Sequence, residues 1–398
     1  MMQRRWLVGL AVAAGLIGAY LAPFMTRRPT PPLPVEVPAR LAAPAANVTA
    51  VLPPSPASAA ASVMASAATQ PRQIDLTCRE EDIPRSQTEE HDPKDRREAV
   101  LAGQQLLKDI RDSLKAAGDT PSRALALYVA AMDNSFDPNG CEGNDCKGPI
   151  EVQSAVSARA ASDLALLAQA TKLPQALAWA LQACRFKASD PVLYPACGNV
   201  SAQHWADAAP NNAWPWLLLA SEAQGRNDLS GMESAMHRAA LASDWQHPGD
   251  EARRMLVSHL PPSVSSTSVL YAFISIDSLH PEVAGLGALA QYCGTNQDAN
   301  RAQTCARLAA ALFKSSNDLL RLSLAVKVGA RSGLPAELLA AAQSQIDAAR
   351  ANSRSTLDLL RDPRRQCPFH QVQARVVLRS ADIGELAAIE EEFRARAR

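Results

Sequence analysis

The sequence has no excess of charge of either sign. It contains 40 lysine and arginine residues against 40 aspartate and glutamate residues, so its formal net charge at pH 7 is zero. A balanced chain has no overall electrostatic field that would attract nucleic acid or an acidic substrate. We therefore expect no nucleic-acid partner.

Short catalytic and cofactor motifs are also missing. The chain contains no C-x-x-C, H-E-x-x-H, G-x-S-x-G or G-x-x-x-x-G-K-[ST] sequence. These motifs would indicate a thiol redox site, a zinc protease, a serine hydrolase and a phosphate-binding loop, respectively. Cys367 and His370 have zinc-ligand spacing, but no second close pair completes a set of four ligands. We predict no catalytic residue, cofactor or metal ion.

The alternating pattern of β-strands is scarce, and helical periodicity replaces it after Asp95. One apolar stripe recurs at three- and four-residue steps and comprises Val152, Val156, Ala160, Leu164, Leu167 and Ala168. The stripe stops before Pro174, which suits the first position of a following helix. Gly333 and Pro335 give the same stop and start later in the chain. The sequence thus predicts helical hairpins joined by short turns.

Residues 210–243 resemble one unit of the tetratricopeptide repeat family. The family pattern of aromatic, leucine and small residues is matched on two successive helices by Trp216, Leu219, Ala220, Ala223, Met236 and Ala239. Asn227 replaces the usual turn glycine, and Met232 stands where a small residue is expected. The resemblance covers about a tenth of the chain. It implies a helical-repeat body with a concave surface that holds peptides, and it supplies no catalytic residue.

The predicted fold class is therefore all-α, with stacked helical hairpins behind one N-terminal transmembrane helix. About a dozen short helices are more than a simple bundle needs, and stacking in a tetratricopeptide-like α-solenoid would bury their apolar faces. An irregular α-domain is the alternative, because its packing requires small residues for the same reasons.

Residues 6–25 form the single long uncharged apolar run, flanked by arginines on both sides. As a helix this run is roughly 30 Å long, the thickness of the hydrocarbon core of a bilayer. A cleaved secretory signal is the alternative, but the run lacks a good small-x-small cleavage site. We assign residues 1–28 to a membrane anchor or signal, and either assignment exports the rest of the chain.

Residues 29–73 are rich in proline, alanine and serine, which is typical of a disordered linker. The α-helical soluble domain is predicted to span residues 74–398. Arginine greatly exceeds lysine and alanine is abundant, a bias associated with GC-rich bacteria. On that association, the chain is a single-pass protein of the bacterial inner membrane with its soluble domain in the periplasm.

The eight cysteines are consistent with an oxidising compartment. Sequence proximity favours three disulfides and leaves two cysteines to join the ends of the domain, so that the expected pairs are Cys141–Cys146, Cys184–Cys197, Cys293–Cys305 and Cys78–Cys367. Buried free thiols are the alternative, since cysteine also behaves as a small apolar residue.

Four tryptophans lie within about forty residues and form a candidate groove: Trp205, Trp214, Trp216 and Trp245. At helical spacing they also suit a hydrophobic core. Residues 133–145 are dense in oxygen ligands and compare with a calcium loop, but their spacing does not follow the helix-loop-helix motif and favours a turn-rich loop. The expected function is a binding or scaffold module that presents its surface to an envelope protein or peptide. The alternative is a periplasmic hydrolase of cell-wall or peptide substrates with a dispersed site.

Overall fold

Helices make up most of the chain in the computed structural model. It describes residues 74–78, 93–132, 141–142, 145–146, 150–188, 190, 192–277, 282–294, 298–357 and 366–396. Within these residues there are sixteen helices, and the predicted all-α class is confirmed at that level. The first eight helices are α1 (Pro93–Ala117), α2 (Thr120–Met132), α3 (Ile150–Thr171), α4 (Pro174–Lys187), α5 (Pro195–Gly198), α6 (Ala202–Ala208), α7 (Ala213–Gly225) and α8 (Leu229–Leu241).

The second half of the chain has eight more helices. These are α9 (Pro248–Ser258), α10 (Ser266–Asp277), α11 (Glu282–Tyr292), α12 (Ala299–Ser315), α13 (Leu319–Ser332), α14 (Ala336–Leu357), α15 (Gln366–Ile383) and α16 (Glu385–Arg396). Most sequence neighbours pack as hairpins, including α3 with α4, α7 with α8, and α12 with α13. Longer-range contacts place α10 against α1 and α15, and α11 against α7.

Four short strands accompany the helices. Strand β1 (Asp75–Thr77) pairs in parallel with β4 (Ser263–Ser265), and β2 (Cys141–Glu142) pairs antiparallel with β3 (Asp145–Cys146). The disulfide between Cys78 and Cys367 follows β1 and attaches it to the beginning of α15. These short pairings fasten an early segment to the helical body.

The hairpin of α3 and α4 begins and ends where the sequence predicts. Helix α4 has Pro174 in its first turn, and Lys172 in the connecting turn has a φ of 53°. The predicted apolar stripe on α3 is only partly buried, however. Ala160, Leu164 and Ala168 lie in the core, whereas Val156 is 55% exposed. The assignment of Val156 to the buried face is therefore wrong.

The second predicted stop also forms. Gly333 follows α13 with a φ of 78°, the left-handed conformation that glycine adopts without steric cost, and α14 begins after Pro335. On α14 the buried residues include Ala342 and Ile346, which form a small cluster with Leu322 of α13. The remaining apolar interior of the described residues is dominated by one large cluster of side chains from α1 to α15.

The tetratricopeptide-like segment is a helical hairpin built from α7 and α8. Ala220, Met236 and Ala239 are fully buried where the two helices pack. Asn227, in the turn between them, has a φ of 56°. Asparagine tolerates this left-handed conformation better than most residues, which explains how it occupies the position of the usual glycine.

Three predicted features lie outside the described residues: the anchor or signal at 1–28, the linker at 29–73, and the main part of the oxygen-rich loop, 133–140. In the described segments, no helix combines the length and the apolar character required to cross a membrane. All described residues belong to one compact unit, Arg72–Arg398.

Candidate functional site

A cleft of about 820 Å³ opens where several helix ends meet. The ends of α8, α12 and α15 and the beginning of α9 form its walls. Its lining is mixed, with indole, imidazole, amide, hydroxyl and charged groups; the polar side chains are Ser243, Gln246, His247, Asp250, Arg254, Lys314, Ser315, Asn317, Ser380 and Asp382. Apart from Trp245, the apolar contribution comes mainly from small residues such as Ala242 and Ala311.

Trp245 supplies the one aromatic carbocycle of the lining. Its side chain is 8% exposed, and its indole Nε1 has no hydrogen-bond acceptor within the part of the chain that the structure describes. Trp214 packs edge-on against it, with ring centroids 6.4 Å apart, and donates a 3.0 Å hydrogen bond from Nε1 to the carbonyl oxygen of Trp245. Trp245 is thus held from behind, and its own indole N–H is a buried donor without an acceptor among the described residues.

The segment that carries Trp245 is fixed to the start of α7. The backbone N–H of Ala213 donates to the carbonyl of Asp244 at 2.9 Å, and Asp244 donates in turn to the carbonyl of Asn211. The Asn212 side chain accepts from the N–H of Trp214 and donates to the carbonyl of Gln246, both at 2.9 Å. These bonds join the tetratricopeptide-like hairpin to one wall of the cleft.

A buried arginine supports the opposite wall. Arg321 is 6% exposed, and its Nη2 lies 3.1 Å from Oδ2 of Asp250 on α9. The same guanidinium also donates to the carboxylate of Asp318 and to the side-chain carbonyl of Asn317. Its Cζ lies 5.8 Å from the ring centroid of Trp214. Arg321 therefore connects α9, the α12–α13 turn and the tryptophan pair.

The protonation states of Asp250 and Arg321 are determined by burial and by the neighbouring charges. Burial disfavours the charged form of Asp250, but nearby positive charge, Arg321 above all, outweighs burial and lowers the pKa of the Asp250 carboxyl. Burial likewise opposes the charge of Arg321, but Asp318 and Asp250 raise the pKa of its guanidinium. At neutral pH the Asp250 carboxyl therefore stays deprotonated and the Arg321 guanidinium stays protonated. Neither group acts as an acid or a base there.

The turn between α15 and α16 closes the cleft against the same cluster. The N–H of Leu386 donates to the carbonyl of Asn317 at 3.0 Å, and the Glu385 carboxylate accepts from the N–H of Leu319 at 3.1 Å. Gly384 has a φ of 84°, and a Cβ placed there would lie 2.5 Å from Cβ of Asn317. A glycine at this position allows the two turns to approach closely.

His247 orders the remaining wall. Its Nδ1 accepts a 3.1 Å hydrogen bond from the N–H of Gly249 and caps the beginning of α9. Its ring also packs edge-on against Trp214 at 4.6 Å. The imidazole thus holds the backbone at the beginning of α9 beside the cleft.

The four tryptophans of the candidate groove do not line one surface. Trp205, Trp214 and Trp216 are buried in the hydrophobic core, and Trp245 alone of the four lines the cleft. The groove prediction is wrong for the three core residues. Their helical spacing places them on faces that pack against neighbouring helices, where a large apolar surface is most favourably buried.

The structure joins Cys78 to Cys367, Cys184 to Cys197, and Cys293 to Cys305 by disulfides. These are three of the four pairs expected from the sequence. Cys141 faces Cys146 in the ladder between β2 and β3. Across the residues that the structure describes, no group of three histidine, cysteine or acidic side chains is arranged to hold a metal ion.

Sequence reasoning did not identify Asp250, Asn317, Arg321 or Gly384 as parts of one site. One local signal was present, because Asp318 caps α13 and precedes Arg321 by three residues, a spacing that brings the two side chains together on a helix. No comparable signal connects either residue with Asp250.

The chain matches none of the protein-family models, curated proteins or solved structures with which it was compared. Its function is therefore inferred from the cleft and the residues that form it.

Proposed function

We propose that the protein is a membrane-anchored, exported binding or scaffold module of the bacterial cell envelope, and that the cleft beside Trp245 receives a segment of a partner protein. In this proposal, residues 1–28 hold the chain in the inner membrane, residues 29–73 act as a spacer, and the helical domain lies in the periplasm. The disulfides of the domain support an oxidising compartment.

The observation that carries the proposal is the cleft itself, in which polar side chains converge beside Trp245. Its volume of about 820 Å³ is in the range of sites that enclose several side chains of a ligand. Asn317, Gln246 and the serines of the lining offer hydrogen-bond partners for a peptide backbone. Trp245 adds an aromatic surface to this lining.

The charges at the mouth of the cleft favour an acidic segment. Lys314 is exposed at the end of α12, and Arg254 of the cleft lining is also exposed, while the Asp250 carboxylate is compensated by Arg321. Arg254 is paired with Glu251 at 2.8 Å, and Asp382 of the lining is paired with Arg379 at 3.2 Å. Lys314 is therefore the rim cation that an acidic side chain of the partner would meet. The tetratricopeptide-like resemblance of α7 and α8 is consistent with peptide binding, because this hairpin carries Trp214 behind the cleft.

A hydrolase would require a carboxyl group that holds a proton near neutral pH or a base free to accept one. Asp250 has a lowered pKa and contacts Arg321, and Asp318 contacts the same guanidinium. These two carboxylates are occupied with a structural cation. The arrangement therefore favours the binding module over the enzyme.

Site-specific photo-crosslinking in intact cells tests the proposal. Benzoylphenylalanine is placed at Gln246 in the cleft, and at Gln343 on α14 as a matched exposed glutamine outside the lining. We expect one envelope protein to be trapped from position 246 and not from position 343. A synthetic peptide covering the trapped segment should then bind the purified full chain.

Charge reversal at the rim provides the second arm. Lys314→Glu should weaken both crosslinking and peptide binding, because it places like charges together. Lys108→Glu, on the exposed face of α1, is the matched control and should leave both unchanged. Equal adducts from positions 246 and 343, or recovery of this chain alone, would refute the proposal.

A further inference from the structure

Two aliphatic side chains project into solvent at the loop between α4 and α5. Val192 is 86% exposed and Leu193 is 70% exposed, which makes them the most exposed of the large hydrophobic residues that the structure describes. The loop lies outside the lining of the cleft. The exposed apolar pair is therefore not part of the proposed binding cleft.

The backbone of the loop holds both side chains outward. Asp190 accepts hydrogen bonds through Oδ1 from the N–H of Val192 at 2.8 Å and of Leu193 at 3.3 Å. The N–H of Tyr194 donates to the carbonyl of Asp190 at 3.0 Å. A turn closed on both its side-chain and backbone acceptors cannot easily fold its apolar residues inward.

The two ends of the loop are anchored as well. The disulfide between Cys184 and Cys197 closes it across 13 positions, and Gln169 of α3 donates to the carbonyl of Ala196 at 2.7 Å. The described residues 192–194 therefore lie in a segment that is attached to the domain by this disulfide and hydrogen bond. Arg185 and Phe186, exposed in the last turn of α4, add a cation and an aromatic ring near its base.

We propose that this projection, Val192 and Leu193, inserts into the surface of a lipid bilayer. Two side chains of this size bury on the order of 200 Å² of apolar surface, judged from the transfer free energy of such side chains. A stable protein interface needs about 800 Å² on each partner, several times more. A bilayer requires no complementary shape, so a small rigid apolar tip is sufficient for a shallow contact.

So small a contact requires that the domain is already close to the bilayer. The segments that precede the domain would keep it there. The apolar run 6–25 is predicted to lie in a membrane, and a flexible chain of the length of residues 29–73 would average about 40 Å end to end. Such a tether gives the domain a high effective concentration at the same bilayer. A weak insertion of the loop would then orient the domain without having to recruit it.

Spin labelling of the full chain tests the inference. The protein is reconstituted in vesicles of phosphatidylethanolamine and phosphatidylglycerol, with a nitroxide attached at Leu193→Cys or, as the matched control, at Leu229→Cys. Leu229 is also strongly exposed but lies at the beginning of α8. Because the six cysteines of the three described disulfides carry no free thiol, the introduced cysteine is labelled without reduction.

Collision rates with oxygen, which concentrates in lipid, and with a nickel chelate, which stays in water, report the position of each label. We expect the oxygen-to-nickel ratio at position 193 to exceed that at position 229 several-fold. Adding Val192→Asp should return the label at 193 to water, since it places a charge in the tip. A water-exposed label at 193, or a ratio unchanged by Val192→Asp, would overturn the inference.

Each labelled variant is also compared with the unlabelled chain by circular dichroism, and retained helicity shows that a changed ratio does not come from unfolding. The inference rests on the membrane anchoring in the proposed function, but its test is separate from that of the cleft. Loss of lipid contact at position 193 leaves crosslinking at Gln246 unaffected, and a cleft without a partner leaves the label at 193 in lipid.

Discussion

The guanidinium of Arg321 lies 3.1 Å from the carboxylate of Asp250, a residue 71 positions earlier in the chain. This contact links α13 to α9 beneath the cleft. Both residues belong to the interior side of the wall, and Arg321 is the more deeply buried of the two. The position of the cleft wall therefore depends on one charged contact between distant segments.

Replacing Arg321 with methionine should strongly destabilise the domain. The substitution preserves much of the side-chain length but leaves Asp250 and Asp318 without their counter-charge in a desolvated setting. Breaking one side of a buried ion pair costs about 3–5 kcal/mol of unfolding free energy. Urea unfolding followed by circular dichroism measures the loss.

Arg307→Met is the control for Arg321→Met, because Arg307 is exposed on α12. It should change the unfolding free energy by less than about 0.5 kcal/mol. Equal urea midpoints for the two variants would show that the Arg321 cluster contributes little to stability.

The sequence predicts helix ends much better than it predicts this site. Pro174 and Gly333 act through their own backbone geometry, so their effects can be recognised locally. The burial of α3 is harder to predict, because alanines such as Ala161 and Ala165 carry much of it. Alanine has a weak apolar signal, and the face chosen depends on two neighbouring helices, α2 and α4. The local apolar pattern therefore places Val156 on the wrong face of α3.

The cleft could be anticipated only in fragments. The sequence identifies Trp245 as a candidate because it is one of four tryptophans within about forty residues. It gives no reason to connect Trp245 with Asn317 or Gly384. Those contacts arise from the packing of α12, α13, α15 and α16. The periodicity of the sequence indicates local structure, and it does not show which distant helices pack together.

The disulfide from Cys78 to Cys367 should contribute more to stability than the one from Cys293 to Cys305. The first closes 289 positions and the second closes 12. If restriction of the unfolded chain dominates, the difference is about 3 kcal/mol in unfolding free energy, because loop-closure entropy grows with the logarithm of loop length.

Two double serine variants check the disulfide prediction: Cys78→Ser with Cys367→Ser, and Cys293→Ser with Cys305→Ser. Each retains the other disulfides, and denaturant unfolding gives the two losses under the same conditions. Peptide mapping without reduction should recover both native crosslinks from the unmodified chain. A larger loss for the short-loop variant would contradict the entropic account.

Stability should fall as the pH decreases below about 6.5, in part because of His370. Burial lowers the pKa of this imidazole from 6.5, and its Nδ1 lies 2.8 Å from Oγ1 of Thr267. Below pH 6.5 the unfolded chain therefore binds more protons than the folded chain. The contribution of His370 to the unfolding free energy is therefore fully present above pH 6.5. It is lost progressively as the pH falls toward the lowered pKa.

Unfolding free energies between pH 8 and pH 5 measure this effect for the unmodified chain and for His370→Gln. A single proton contributes at most about 1.4 kcal/mol per pH unit, and the variant should lose that component of the slope. His237→Gln, at an exposed position on α8, should keep the original slope. Parallel pH profiles for all three proteins would exclude His370 as a contributor.

Gly384→Ala should destabilise the turn that closes the cleft, whereas Gly287→Ala should not. An alanine Cβ at 384 would lie 2.5 Å from Cβ of Asn317, and the φ of 84° is unfavourable for alanine. Together these effects cost about 2–4 kcal/mol of unfolding free energy. Gly287 lies within α11 with no other atom within 4 Å of an added Cβ. Alanine there should stabilise the helix by about 0.5–1 kcal/mol.

Urea unfolding separates the two glycine variants, because their midpoints should move in opposite directions. The Gly384→Ala variant should also affect binding. Displacement of Asn317 would disturb its contact with Arg321, so Gly384→Ala should also reduce crosslinking from position 246 under conditions in which the domain is still folded. Gly287→Ala should leave that crosslinking intact. A Gly384→Ala protein with unchanged midpoint and full crosslinking would mean that the turn between α15 and α16 can relax without moving the wall of the cleft.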